Sequence, residues 1–219
     1  MMRTLFLNPN SSDGITGTLR RHIARCGWPA SEWEVAKVQG APRIIGSAEE
    51  NDQAVKALDL SLGALCAGFD RVVMMSSVDT GYDVARRQLG DAAFGFTRSV
   101  LAQHRKLGRK LQVITFDKDM TALYERAFDA TGHASVVGNW RVVDLMPAAV
   151  AAGPDAALAA VRERCRELAD ASPDGIFVVG AVGLELADTL REEGMQSVID
   201  PVSDLLTFLG DSAAHGPCA

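Results

Sequence analysis

VVMMSSVDTGYDV, Val72–Val84, is the stretch of sequence that decides the fold. Its four leading apolar residues are typical of a parallel strand that is covered on both faces. Two serines end the strand, and Asp79 or Thr80 then offers a side chain that can cap a following helix. Ligands of open α/β sheets bind beyond the carboxyl ends of the strands, so this turn is a candidate binding site. An ordinary strand-to-helix turn would contain the same residues.

A second stretch, GIFVVGAVGL, Gly175–Leu184, repeats this plan late in the chain. Phe6–Asp13 and Ile114–Asp119 form another pair, in which polar residues follow a short apolar strand. Strands and helices alternate throughout, which predicts an α/β fold. We expect two pseudo-symmetric lobes with mostly parallel sheets flanked by helices, and an active-site cleft between the lobes. The predicted lobes comprise residues 1–92 with 198–219, and residues 93–197, with Ala93–Phe96 as a short link.

The composition excludes several classes of protein. The chain has 219 residues, of which 47% are hydrophobic and 23% charged, so it is globular rather than disordered. A net charge of −6 argues against a nucleic-acid or membrane partner, and no apolar stretch is long enough to span a bilayer. The basic cluster His104–Lys110 is typical of a solvated helix end.

Cysteine usage and glycine spacing argue against disulfides, metals and nucleotide cofactors. The cysteines show neither a CxxC pair nor metal-ligand spacing, which predicts no metal site and fits a cytoplasmic location. Gly180–Gly183 is too short for a dinucleotide fingerprint or a phosphate-binding loop, so we expect no cofactor. The four cysteines are Cys26, Cys66, Cys165 and Cys218.

Polar or small residues follow four of the predicted strands and make up the candidate binding site. Their side chains and free backbone N–H groups suit a small anionic or ureide-like ligand, although turn and cap chemistry explains the Asn, Ser and Asp residues equally well. The candidate substrate-binding residues are Asn8, Asn10, Ser11, Ser77, Val78, Thr115, Phe116, Asp117, Gly180, Val182 and Gly183.

Five colinear segments resemble the aspartate/glutamate racemase superfamily, most closely its hydantoin racemase branch. Together they span nearly the whole chain, and their order is more specific than any one of them. The segments are Leu7–Ser12 followed by Thr16 (family N-P-N-T-S, then a Thr), Asp79–Arg86 (D-P-G-L-D-x-x-R), Val113–Thr115 (V-x-T), Val179–Leu184 (with G-C-A-G-M) and Ser197–Asp200 (V-I-D).

This resemblance implies a cofactor-independent reaction on a small carboxylate or cyclic amide. In the family, one cysteine thiolate removes the α-proton and a second cysteine on the other face returns a proton. The matching positions in this chain are Ser76 and Ala181. A serine hydroxyl is a far weaker acid than a thiol, and alanine has no proton to give, so the thiol mechanism does not transfer. A homo-oligomer is compatible with the sequence.

We therefore predict an isomerase or racemase acting at the α-carbon of a small carboxylate, amino acid or hydantoin-like substrate. The catalytic candidates are Ser76, Ala181 and Asp79, and Asp117 or Tyr82 are further acid/base candidates, although capping or packing explains each of these three. Two alternatives stay open, namely a lyase or decarboxylase in the same cleft and a non-catalytic ligand-binding relative. Engineered loss of the cysteines is a further explanation, but neighbouring residues also depart from the family pattern.

Overall fold

The computed structural model describes residues 2–116, 118–143, 154–169 and 174–215, and it forms two parallel β-sheets flanked by helices. The described strands are β1 Thr4–Asn8, β2 Trp33–Lys37, β3 Arg71–Met74, β4 Ala93–Gly95, β5 Leu111–Thr115, β6 Val137–Val142 and β7 Gly175–Val178. The described helices are α1 Asp13–Arg25, α2 Ala48–Leu65, α3 Tyr82–Leu89, α4 Phe96–Lys106, α5 Lys118–Ala130, α6 Pro154–Ala169, α7 Ala181–Glu192 and α8 Pro201–His215.

The two sheets share the arrangement of their first three strands. The first sheet has the strand order β2-β1-β3-β4, and the second has the order β6-β5-β7, with every pair parallel. In each sheet the first strand of the chain lies in the middle, between the next two strands. This repeat confirms the predicted α/β fold with two pseudo-symmetric halves. Val198 adds a single parallel bridge to Ile176 at the edge of the second sheet.

Alternation of side chains along the strands divides the core into three parts. Phe6 and Val73 of the first sheet and Val113 and Phe177 of the second sheet belong to one cluster, the shared core. Their sequence neighbours point the other way, because successive strand residues face opposite sides of a sheet. Leu5 lies in the first outer core, together with residues of α2 and α3. A second outer core, on the far face of the second sheet, includes residues of α6 and α7.

The structure corrects three local predictions. Ala93–Gly95 is not a link but the strand β4, which pairs with β3. The helix predicted from Asp79 begins at Tyr82, because Gly81 precedes it with a positive φ of 77°. His104 is buried rather than solvated, with 1% exposure, and its Nε2 lies 3.0 Å from a carboxylate oxygen of Asp204 on α8. Across the described ranges, no helix is long and apolar enough to cross a membrane.

Candidate active site

The carboxyl ends of β3 and β7 meet at one place. The backbone N–H of Gly180 donates a hydrogen bond of 2.9 Å to the Ser77 hydroxyl, which lies 103 residues earlier in the chain. We call this place the strand-end junction and define it as Ser76–Asp79 with Gly180–Gly183. Two segments that the sequence analysis assigned to one site are therefore in direct contact.

The turn after β1 is a closed hydrogen-bond network. The Asn8 side-chain amide donates to the Asn10 side-chain oxygen at 2.8 Å and to the Thr16 hydroxyl at 3.1 Å. Asn10 also accepts from the N–H of Ser12, and the N–H of Ser11 donates to the Pro42 carbonyl. Both asparagines are buried. The structure therefore shows them stabilising the turn.

Ser76, at the first family cysteine position, belongs to a chain of hydroxyl contacts. Its Oγ lies 3.0 Å from the Thr80 hydroxyl, which donates to the Asn51 side-chain oxygen at 2.8 Å. Because the Thr80 proton is directed at Asn51, Ser76 is the donor to Thr80. The remaining lone pairs of Ser76 are acceptors. Within the described residues, these hydroxyl contacts include no base that would activate Ser76 for proton removal.

Asp79 joins the junction to α4. Its carboxylate accepts from the N–H groups of Thr97 and Arg98, at 2.9 and 3.1 Å, and from Nε of Arg98 at 3.1 Å. Asp79 adopts a φ of 49°, a conformation that aspartate tolerates better than most residues. A Cβ on Gly95 would lie 2.7 Å from the carboxylate, so glycine is required there. Neither Asp79 nor Thr80 caps α3, and the prediction that one does is wrong.

Burial raises the pKa of Asp79 to about 6, although Arg98 and the two backbone N–H groups favour its charged form. Its side chain is only 4% exposed, and the carboxylate accepts its hydrogen bonds from Thr97 and Arg98 of α4. A catalytic role for Asp79 stays a prediction, and the role visible in the structure is structural. Tyr82, the alternative acid/base residue, packs against the first outer core with the Arg98 guanidinium 3.5 Å above its ring centre.

The second-sheet side of the junction consists mainly of backbone. Gly180 has a φ of 97°, which favours glycine, and α7 starts directly after it at Ala181 without a side-chain cap. Gly183 is required for close packing, because a Cβ there would collide with the Val178 carbonyl oxygen. The first turn of a helix presents N–H groups that lack intrahelical partners, and these groups attract negative charge. Val182 is half-buried and packs against the second outer core.

The turn after β5 completes the set of predicted residues. Thr115 is buried, and its carbonyl accepts from the N–H of Val143 at 2.8 Å. Phe116 packs against the second outer core. Val78, in the junction, makes a 3.4 Å contact from its N–H to the Ser76 hydroxyl. Asp117 and the side chain of Ala181 lie outside the described residues.

The cysteines that the structure describes do not replace the two missing family thiols. Burial raises the pKa of Cys26 and of Cys66 to about 11 and that of Cys165 to about 12. Such thiols are almost fully protonated at neutral pH and are poor bases. In the same part of the chain, no group of three or more His, Cys, Asp or Glu residues is arranged to hold a metal ion.

A charged concavity of about 410 Å³ lies between α1 and α7. Arg21 pairs there with Glu185 at 2.9 Å, and Arg25 pairs with Asp188 at 2.5 Å. These ion pairs join a helix of the first half to a helix of the second half. Arg21, Arg25, Glu185 and Asp188, which form these ion pairs, all line the concavity.

Sequence reasoning missed three residues that surround the junction. Thr97 donates its hydroxyl proton to the Ser77 carbonyl at 2.8 Å, and Asn51 ends the hydroxyl chain from Ser76. The hydroxyl of Tyr124 lies 3.9 Å from the position that a Cβ on Gly180 would occupy. Each is on a helix rather than in a strand-end turn.

Comparison with known proteins points to one family. The family model described as Asp/Glu/Hydantoin racemase matches residues 5–208. A search of curated proteins by sequence gave no significant match.

Several solved structures share the fold. Allantoin racemase from Klebsiella pneumoniae is similar, with a TM-score of 0.81 and 21% identity over 98% of this chain and 88% of that one. Allantoin racemase from Pseudomonas fluorescens has a TM-score of 0.82 and 18% identity, covering 97% of this chain and 91% of that one. An arylmalonate decarboxylase has a TM-score of 0.61 and 16% identity, covering 98% and 94%.

Proposed function

The chain belongs to the Asp/Glu/hydantoin racemase family, and we propose that it is a cofactor-independent isomerase that acts at the α-carbon of a hydantoin-like cyclic ureide. The hydrogen bond between Ser77 and Gly180 is the observation that supports this proposal most strongly. It joins two segments that resemble the family's two proton-transfer segments. The likeness in fold to two allantoin racemases favours a cyclic ureide over an open-chain amino acid as the first substrate to test.

The junction offers hydrogen-bond donors and acceptors that suit a ureide ring. Ser77 accepts from Gly180, so its own proton is available for a substrate carbonyl. The uncapped first turn of α7 adds backbone N–H donors on the same side. Ser76 retains lone pairs that can accept from a ureide N–H group. Donors aimed at a carbonyl oxygen stabilise the enolate that forms when the α-proton leaves.

The proposal is tested by optical rotation. Single enantiomers of allantoin and of alkyl- and aryl-substituted hydantoins are incubated with the protein, and aspartate and glutamate serve as open-chain comparisons. We expect the rotation of at least one cyclic ureide to decay faster than in a protein-free control. Unchanged decay rates for every compound would refute a racemase of this substrate class.

A lyase is the second candidate, and the absence of thiols at Ser76 and Ala181 favours it. Decarboxylation of an α-carboxylate produces an enolate without removal of an α-proton, so one proton donor is sufficient. The junction would stabilise that enolate in the same way. Release of carbon dioxide from arylmalonates, with no change in optical rotation of the ureides, would favour this candidate over the isomerase.

A further inference from the structure

Tyr124 reaches the strand-end junction from α5, a helix that the family-like segments do not include. Its hydroxyl lies 3.9 Å from the position that a Cβ on Gly180 would occupy. In a helix the Cα–Cβ bonds tilt toward the N-terminus, and α5 begins close to the carboxyl end of β5. The long side chain of Tyr124 therefore extends back toward the strand ends.

The packing of the ring supports this placement. Tyr124 contacts the shared core, which includes Val113 and Phe177 of the second sheet. Its ring centre lies 6.3 Å from that of Trp140 on β6, and Trp140 in turn contacts Phe128 on α5. Aromatic neighbours of this kind restrict the ring, so its hydroxyl is held beside Gly180.

We propose that the Tyr124 hydroxyl is the proton donor on the β7 side of the junction, beside the position where Ala181 replaces a family cysteine. This inference rests on the proposed function. The enolate's electron pair forms the new C–H bond while the O–H bond of Tyr124 breaks. The tyrosinate then takes a proton from water. In the reverse direction the tyrosinate accepts the α-proton, and the electron pair moves to the carbonyl oxygen.

The role follows from the chemistry that remains at the junction. Ser76 lies on the β3 side, and its proton is directed at Thr80. Asp79 uses both carboxylate oxygens to hold α4. Tyr124 is the described residue that brings an acidic hydroxyl to the β7 side. A phenol is a stronger acid than an aliphatic alcohol, so it is the better donor to a carbanion.

The test compares Tyr124→Phe with Ser61→Ala, a variant that also loses one hydroxyl. The Ser61 hydroxyl bonds to carbonyls of its own helix, α2, so its variant controls for the loss of a hydroxyl outside the site. Hydrogen–deuterium exchange at the α-carbon of allantoin and substituted hydantoins is followed by proton NMR in deuterium oxide. We expect Tyr124→Phe to slow exchange by about 100-fold or more, a usual loss for a general acid, and Ser61→Ala to leave it within about threefold.

Two further measurements separate a proton donor from a structural residue. Calorimetric affinity for the same ureide is expected to stay within about threefold in Tyr124→Phe, since the ring and its packing remain. With isotope-labelled tyrosine, the ring signal that Tyr124→Phe removes is expected to shift when the ureide binds to the wild type. Equal exchange by the wild type and Tyr124→Phe would overturn the inference alone. Absence of exchange by the wild type, with every ureide, would overturn it together with the proposed function.

Discussion

The two sides of the strand-end junction use their polar groups in opposite ways. On the first-sheet side, Ser76 and Asp79 are tied into hydrogen-bond chains that end in α2 and α4. On the second-sheet side, Gly180 and Gly183 bring only backbone, and the N–H of Gly180 reaches across to Ser77.

The difference indicates that the two sides of the junction have different roles. A side chain that is already hydrogen-bonded on several sides is held in place, but it is a poor carrier of protons. A backbone surface with an uncapped helix start binds carbonyl oxygens, but it needs a side chain from elsewhere for proton transfer. We therefore expect the first-sheet side to determine the shape of the site and the second-sheet side to be where the proton moves.

Replacement of Gly183 should have the largest effect on stability, because it disrupts the second-sheet side of the junction. A Cβ at Gly183 meets the Val178 carbonyl, so Gly183→Ala should push α7 from β7 and lower the free energy of unfolding by roughly 3 kcal/mol. Gly63→Ala on α2 is the matched control, because a Cβ there meets nothing within 4 Å. It should raise stability by about 0.5–1 kcal/mol. Urea denaturation measures both, and similar effects of the two variants would contradict this account.

Protonation of Asp79 tests the first-sheet side of the junction. Its pKa is raised from 3.8 to about 6 in the folded protein, so the folded state binds more protons than the unfolded state between those values. The free energy of unfolding should therefore fall as pH rises through this window, by roughly 2–3 kcal/mol relative to Asp79→Asn.

Asp13 is the control for that titration, because its pKa is lowered by Lys37. The contribution of Asp13 to stability is therefore present at higher pH and is lost as pH falls. Unfolding is measured across the pH range for the wild type, Asp79→Asn and Asp13→Asn. A wild-type curve parallel to that of Asp79→Asn between pH 4 and 6 would show that burial does not raise the Asp79 pKa.

Removal of the Ser77 hydroxyl should have the smallest effect on stability, because it breaks a single hydrogen bond between the two sides. Ser77→Ala leaves the Gly180 N–H without its acceptor and should cost about 1 kcal/mol of unfolding free energy. Ser61→Ala is the control, since its hydroxyl bonds only to carbonyls of its own helix. Ser77→Ala should also weaken ureide binding in calorimetry, and affinity equal to that of Ser61→Ala would count against a ligand at the junction.

The fold was predictable from the sequence because its signals are local. The run Val72–Met75 and its copy at Ile176–Val179 are apolar and end in small residues, which indicates parallel strands with a site at their ends. The strand β4 was missed because Ala93–Gly95 is three residues long and contains a glycine. Its pairing with β3 depends on tertiary contacts that no local pattern encodes.

The site was only partly predictable, because its decisive contacts join distant residues. Asp79 looked like a cap for the helix that follows it, whereas its carboxylate caps α4, 18 residues later. Tyr124 gave no signal, because a tyrosine on an amphipathic helix is typical of a core position. The meeting of Ser77 and Gly180 depends on how the two sheets pack together, and that packing follows from the shared core rather than from either turn.

The central claim is that this junction moves an α-proton without the two family thiols, and proton NMR in deuterium oxide tests it most directly. The wild type and a Ser76→Cys/Ala181→Cys double variant are incubated side by side with allantoin and substituted hydantoins. We predict loss of the α-proton signal with the wild type, at a rate above that of a protein-free control. An unchanged α-proton signal with the wild type, beside loss of that signal with the double variant, would contradict the claim. The scaffold would then bind substrate while its own residues transfer no proton.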